Sequence, residues 1–219
     1  MVARCPRTGA LGVVTCTTGR AVGNSVPHAE EAVGAIATQH LTNIFHGVNG
    51  LRLLKLGYEP KAVLASTLAL DNQPGQRQVF IVDSKGRTAA HTGDKNSPWC
   101  GHIEGDGYVA GGNILSGPKV LDDMEQRFLD TAGLPLHERL LQAIDAGWEA
   151  GGCNAPDHTA AIIVVGVEDE MKLSYRPTLN LRIDYSERAE PTKELRRVYE
   201  DYKLWVAAMR AQGSRHTLL

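Results

Sequence analysis

Residues 77–92 read RQVFIVDSKGRTAAHT. Arg77-Gln78-Val79-Phe80-Ile81-Val82-Asp83 is rich in β-branched and aromatic side chains. Ser84-Lys85-Gly86 is a short turn and Arg87–Thr92 returns, so the stretch predicts a hairpin. Its surroundings point to the fold class. Upstream, Leu51, Leu53, Leu54 and Leu56, then Ala62, Val63, Leu64, Ala65, Leu68 and Leu70, recur at helical spacing; Gly57 stops the first helix and Pro60 opens the second. Downstream, Pro118 opens a helix carrying Val120, Leu121, Met124, Phe128 and Leu129. A second amphipathic helix runs from Leu134 to Ala150 and ends at Gly151-Gly152. A hairpin between two helix pairs lacks the strand–helix alternation of a doubly wound parallel sheet. It predicts an α+β fold, a four-layer αββα sandwich of antiparallel sheets covered by helix pairs.

The ends of the chain extend this pattern. Val2-Ala3-Arg4 and Ala10–Thr18 form a hairpin around Pro6-Arg7-Thr8-Gly9, and Val33–Gln39 is a further apolar strand. Thr159–Val167 is almost wholly apolar and predicts a strand buried on both faces. Leu179–Tyr185 alternates, and Pro191–Gln212 is a charged amphipathic helix. No repeat, low-complexity tract or long linker interrupts residues 1–219, so one domain is expected, and 42% hydrophobic residues supply a full core. A net charge of -2 gives no electrostatic ground for nucleic acid or anionic membrane as partner. The longest apolar run, AAIIVVGV at 160–167, is too short to span a bilayer, and no secretory leader pattern opens the sequence. Cys5, Cys16, Cys100 and Cys153 are scattered without CxxC spacing, which predicts reduced thiols and a cytoplasmic protein.

The segment from Arg87 to Pro118 concentrates residues able to do chemistry. His91, Trp99, Cys100, His102, Asp106 and Asn113 are interleaved with Gly93, Gly101, Gly105, Gly107, Gly111, Gly112 and Gly117. Glycine at this density predicts a long ordered loop that forms part of a site. In it Trp99 walls a pocket, His102 fixes the loop or contacts substrate, and Asn113 offers an amide for orientation or for an oxyanion. His91 is a further catalytic candidate, its alternative role being a strand histidine bonded to backbone. A zinc set drawn from His91, Cys100, His102 and Asp106 has poor spacing for a tetrahedral site. Neither GxGxxG in a strand-to-helix context nor GxxxxGK[ST] occurs, so no nucleotide cofactor is expected.

Other candidates lie earlier. Thr15, Cys16, Thr17 and Thr18 end the first long strand, where alternation places Thr15 and Thr17 on one face and Cys16 and Thr18 on the other. Threonine is also simply a good strand residue. Cys5 and Cys16 read as small buried hydrophobes. Gly23–His28 reads as a loop whose backbone amides suit an oxyanion, with Asn24 and His28 as substrate contacts. Gln39, with Thr38, ends a strand where polar groups face a pocket, and Thr42 or Asn43 suits a helix cap. In the last helix Tyr199, Tyr202, Leu204 and Trp205 present an aromatic face for a homodimer, or for packing on the protein's own sheet.

The pieces VARCPRTGALGVV, AVGNSVPHAE, VGAIATQ, RQVFIVDSKGRTAAHTG, PWCGH, GNILSGP and LLQAIDAGWEAGG, in this order from Val2 to Arg197, resemble the DUF1028 proteins, a family of unknown function placed among the Ntn hydrolases. The resemblance implies the αββα fold and cleavage of an amide bond by an N-terminal Thr, Ser or Cys whose own α-amine is the base. It implies that Thr17 and Thr18 lie beside that nucleophile; Asn113 and His91, read from the central segment, are the further catalytic candidates. Family members begin Met-Thr-aromatic-Ser-Ile ahead of the Val-Ala-Arg found here at 2–4, whereas this sequence begins Met1-Val2, so the nucleophile is expected outside the residues given or through other processing. The family's Gly-Gly-Asp and basic run are replaced by Gly151-Gly152 and then Cys153-Asn154-Ala155-Pro156-Asp157-His158, which marks a divergent branch with its own substrate. The expected function is cofactor-free hydrolysis of a small amide or related C–N bond. The rival is a catalytically silent domain that binds a small ligand or serves as a subunit, with metal-assisted hydrolysis as a third alternative.

Overall fold

The computed structural model describes residues 1–166, 171–172 and 178–212. In chain order these form β1 (Val2–Arg4), β2 (Leu11–Thr17), β3 (Pro27–Glu30), β4 (Gly34–His40), α1 (Ile44–Lys55), α2 (Pro60–Ala69), β5 (Arg77–Asp83), β6 (Thr88–Thr92), β7 (Gly101–Gly105), β8 (Tyr108–Gly112), α3 (Lys119–Asp130), α4 (Leu136–Glu149), β9 (Thr159–Val165), β10 (Thr178–Ile183) and α5 (Pro191–Ala211). The strands make two sheets, one in the order β10-β9-β2-β1-β8-β7 and one in the order β3-β4-β5-β6. Every pairing between named strands is antiparallel. The fold is therefore α+β, with two antiparallel sheets and five α-helices among the described residues.

Strand periodicity explains how the elements pack. In β2, Leu11 and Val13 point to one side and Val14 to the other; in β5, Phe80 and Val82 alternate with Val79 and Ile81. One set, with Val2, Ala35, Ala37 and Val109, fills a core between the sheets. The second joins Ile36, Leu54, Val63 and Leu64 beneath α1 and α2. The third core, from Val14 and Ile162 to Leu140, Phe128 and Tyr199, lies beneath α3, α4 and α5. The almost wholly apolar β9 fits here because α4 and α5 contact it on one side and β3 on the other.

The glycine-dense stretch differs from its expectation as an irregular loop. β7 and β8 form a hairpin within it, in register from Gly101 opposite Gly112 to Gly105 opposite Tyr108. Most of these glycines serve close packing. A Cβ at Gly111 would lie 2.2 Å from Phe80 Cζ, and one at Gly105 would lie 2.0 Å from Tyr108 Cζ. Only Gly107, at φ +76, supplies the left-handed turn residue of this hairpin. The expected loop at residues 23–28 also changes: Pro27–Glu30 is an edge strand paired to β4, a position where proline's missing N–H costs no ladder bond. Val167, at the end of the expected strand 159–167, lies outside the described residues. The aromatic face of α5 is divided: Tyr199 is buried and donates to Glu138 at 2.9 Å, whereas Leu204 is exposed. No helix among the described residues is long and apolar enough to cross a membrane.

Candidate functional site

β1 starts, and β2, β4 and β8 end, around one pocket roofed by α3 and α4. Its walls include Met1, Thr15, Cys16, Thr17, Thr18, Gln39, Asn113, Trp148, Cys153 and Asp157. Because β2 ends here, both of its faces reach the cavity, and Cys16 lines it together with Thr15 and Thr17. The expected alternation holds for Thr15, which meets Gln39 across the sheets, and Cys16, which packs with Val14 in the opposite core.

The pocket's polar end is built across the two sheets. Gln39 Nε2 donates to Thr15 Oγ1 at 3.2 Å. Asn113 Nδ2 donates to Gln78 Oε1 at 3.1 Å. Gln78 is fully buried, and its Nε2 lies 2.8 Å from Gly112 O, 3.0 Å from Thr92 Oγ1 and 3.2 Å from Gly101 O. Gln39 and Gln78 occupy positions in step with Ala37 and Phe80, so each reaches from the four-stranded sheet toward the six-stranded one. The turn after Asn113 is pinned by Ile114 N donating to Ser97 O at 3.0 Å and Leu115 N to Trp99 O at 2.9 Å.

Electrostatics in the pocket follow burial. The Met1 α-amine donates to Val14 O at 2.9 Å, and desolvation lowers its pKa from 8.0 to about 5. Burial, then the nearby Asp157, pushes the Cys16 and Cys153 thiols up, so both remain protonated at neutral pH. Burial likewise raises the Asp157 carboxyl.

Of the residues singled out in the sequence, Thr17, Thr18, Gln39 and Asn113 come together in this pocket, while His91, His102, Trp99, Asn24 and His28 are outside its wall. His91, in β6, bonds through Nε2 to Pro74 O at 2.9 Å, the backbone-bound role. His102 is exposed on β7, with Nδ1 2.9 Å from Thr92 Oγ1. The Trp99 ring covers Gly101. His28 packs against Gly47 and bonds to Ser25 O at 3.1 Å, and burial lowers its pKa. Asn24 is exposed at the end of a short 3-10 turn. Among the described residues no group of three His, Cys, Asp or Glu side chains is arranged to hold a metal ion, including the set around His91, Cys100, His102 and Asp106.

A family model for DUF1028, a family of unknown function, matches residues 1–195. The chain belongs to the DUF1028 family. This DUF1028 chain is also similar to the crystal structure of protein SPO2555 from Silicibacter pomeroyi, described by the same family model, at 29% identity and a TM-score of 0.81, covering 94% of this chain and 91% of that one. No curated protein matches it.

Four residues of the DUF1028 pocket region escaped the sequence reading: Gln78, Trp148, Cys153 and Asp157. A signal existed for one of them. Gln78 is a polar residue in step with Phe80 and Val82 on an otherwise apolar strand, a position that is buried and must find hydrogen-bond partners. Asp157 belongs to no motif, and only the fold brings it to Cys16.

Proposed function

We propose that this DUF1028 chain is an amide-bond hydrolase on the αββα scaffold of the Ntn hydrolases, acting on a small amide or related C–N bond without a cofactor. The observation that carries this is the meeting of the head of β1 with Thr17, Thr18, Gln39 and Asn113 in one pocket. Burial lowers the pKa of the Met1 α-amine to about 5, and an α-amine buried in the same way at the head of β1 is able to accept a proton at neutral pH. In the proposed reaction, the hydroxyl or thiol of the first residue adds to the amide carbon and its proton passes to the α-amine. Collapse of the tetrahedral intermediate breaks the C–N bond as that proton moves to the leaving nitrogen, and water then hydrolyses the ester or thioester. Asn113 keeps one Nδ2 hydrogen on Gln78 and offers the second to the oxyanion. Thr17 and Thr18 orient the amine and the substrate.

Such chemistry requires a Thr, Ser or Cys at the head of β1, and the Met1 side chain is none of these. Intact mass and amino-terminal sequencing of natively expressed protein test the proposal. A first residue of Thr, Ser or Cys is the expected result, and a retained Met1 or a terminal Val2 would overturn it. One observation favours a ligand-binding role as the second reading: both pocket thiols are held protonated, and among the described residues no histidine lines the pocket to activate them.

A further inference from the structure

Asp157 has no part in the chemistry proposed above, yet it is placed as a recognition group. It lies between α4 and β9 and is 5% exposed; the Cys153 and Cys16 thiols donate to its carboxyl, while its Oδ1 is buried without a hydrogen-bond partner. An unpaired carboxylate oxygen in apolar surroundings carries a desolvation cost that a ligand able to donate to it would relieve. Asp157 also lines two cavities. One is the main pocket; the other is a more open recess formed by Trp148, Gly151–Asp157 and Ala189. The carboxylate therefore forms a partition between the pocket and the surface.

The rest of the pocket sets the character of the ligand. Leu115, Val120, Leu121, Met124 and Ile144 provide an apolar wall. Asp157 is the one acidic side chain among the lining residues, and Lys, Arg and His are absent from them. The Met1 amine is neutral and engaged with Val14 O. The space open to water is about 60 Å³, room for on the order of four waters. An apolar wall beside a carboxylate with one unpartnered oxygen complements a compact cation with an apolar body and N–H donors.

We propose that the pocket binds a short alkylammonium group, with Asp157 as its counter-ion. Taken with the proposed hydrolysis, and resting on it, the substrate class is an amide that carries a primary amine. An ammonium beside Asp157 restores the ionised carboxylate that burial disfavours. The binding itself does not depend on the identity of the nucleophile.

The test titrates the full chain at neutral pH with propylammonium, propionamide and propionate, following chemical shifts by NMR. Propylammonium is expected to bind saturably and about tenfold or more tightly than propionamide, with propionate weakest. Asp157→Asn, isosteric and neutral, is expected to abolish the preference for the cation while its urea midpoint shows a folded protein. Equal binding of the three probes, no saturable binding of propylammonium, or an unchanged preference in Asp157→Asn would each overturn the proposal. Should Asp157→Asn not fold, the charge series on the unmodified chain decides alone. A terminal Val2 would refute the hydrolase while leaving ammonium binding intact, so the two proposals fail separately.

Discussion

Gly111, on β8 at the pocket wall, faces Phe80 of the other sheet. A Cβ there would lie 2.2 Å from Phe80 Cζ, and Phe80 is fully buried between the sheets. Gly111→Ala is expected to cost about 1–3 kcal/mol through overpacking, read as a lower urea midpoint; an unchanged midpoint would show that the Phe80 ring can yield. Thr17, Thr18, Gln39 and Asn113 were legible as pocket-lining residues because polar side chains at the ends of apolar strands need a reason to be there. His91 and His102 drew attention for their chemistry, but backbone and hydroxyl partners occupy them. Glycine density misled for a physical reason: a glycine that yields space to an aromatic ring and a glycine that turns the chain look the same in sequence.

Among the elements, α1, α2 and β5 are joined through Asp71, which follows α2. Its carboxylate accepts from Asn43 Nδ2 at 2.8 Å, His46 Nε2 at 2.8 Å, and Arg77 Nε at 2.8 Å and Nη2 at 3.0 Å. The Asp71 side chain is 2% exposed. The Arg77 hydrogen bonds, foremost among these, hold its carboxyl well below the usual carboxylate range. A depressed folded pKa contributes stability that is fully present above the unfolded value, about 3.9, and is lost as pH falls through the folded one. Asp71→Asn is therefore expected to cost about 3–5 kcal/mol at neutral pH and to flatten the loss of stability below about pH 4. Urea midpoints measured down an acid series check this, and parallel acid profiles for the two proteins would contradict it. Asn43 was legible as a helix cap, and its Oδ1 does accept from Phe45 N at 3.2 Å. Its second role on Asp71 was not, because that partner lies beyond two helices in the chain.

Across the whole molecule, β2 and β9 are adjacent interior strands of the six-stranded sheet, covered by α4 on one side and by β3 on the other. Amides of Val13, Val14, Ile162 and Ile163 are expected to exchange only through global unfolding, ahead of any protection in the edge strands β3 and β7. Native-state hydrogen exchange measures this, and equal protection at centre and edge would refute it. Local periodicity determined the elements, because the period-2 pattern of β2, β5 and β9 and the punctuated helix pairs are written in neighbouring residues. It also fixed the antiparallel α+β class, since hairpins and helix pairs leave few other ways to bury their apolar faces. Only the tertiary structure decided where the pocket lies, that Gln78 holds Asn113, and that Asp157 reaches Cys16. These groups are far apart in the chain and meet through sheet register and packing between layers, which no spacing along the sequence records.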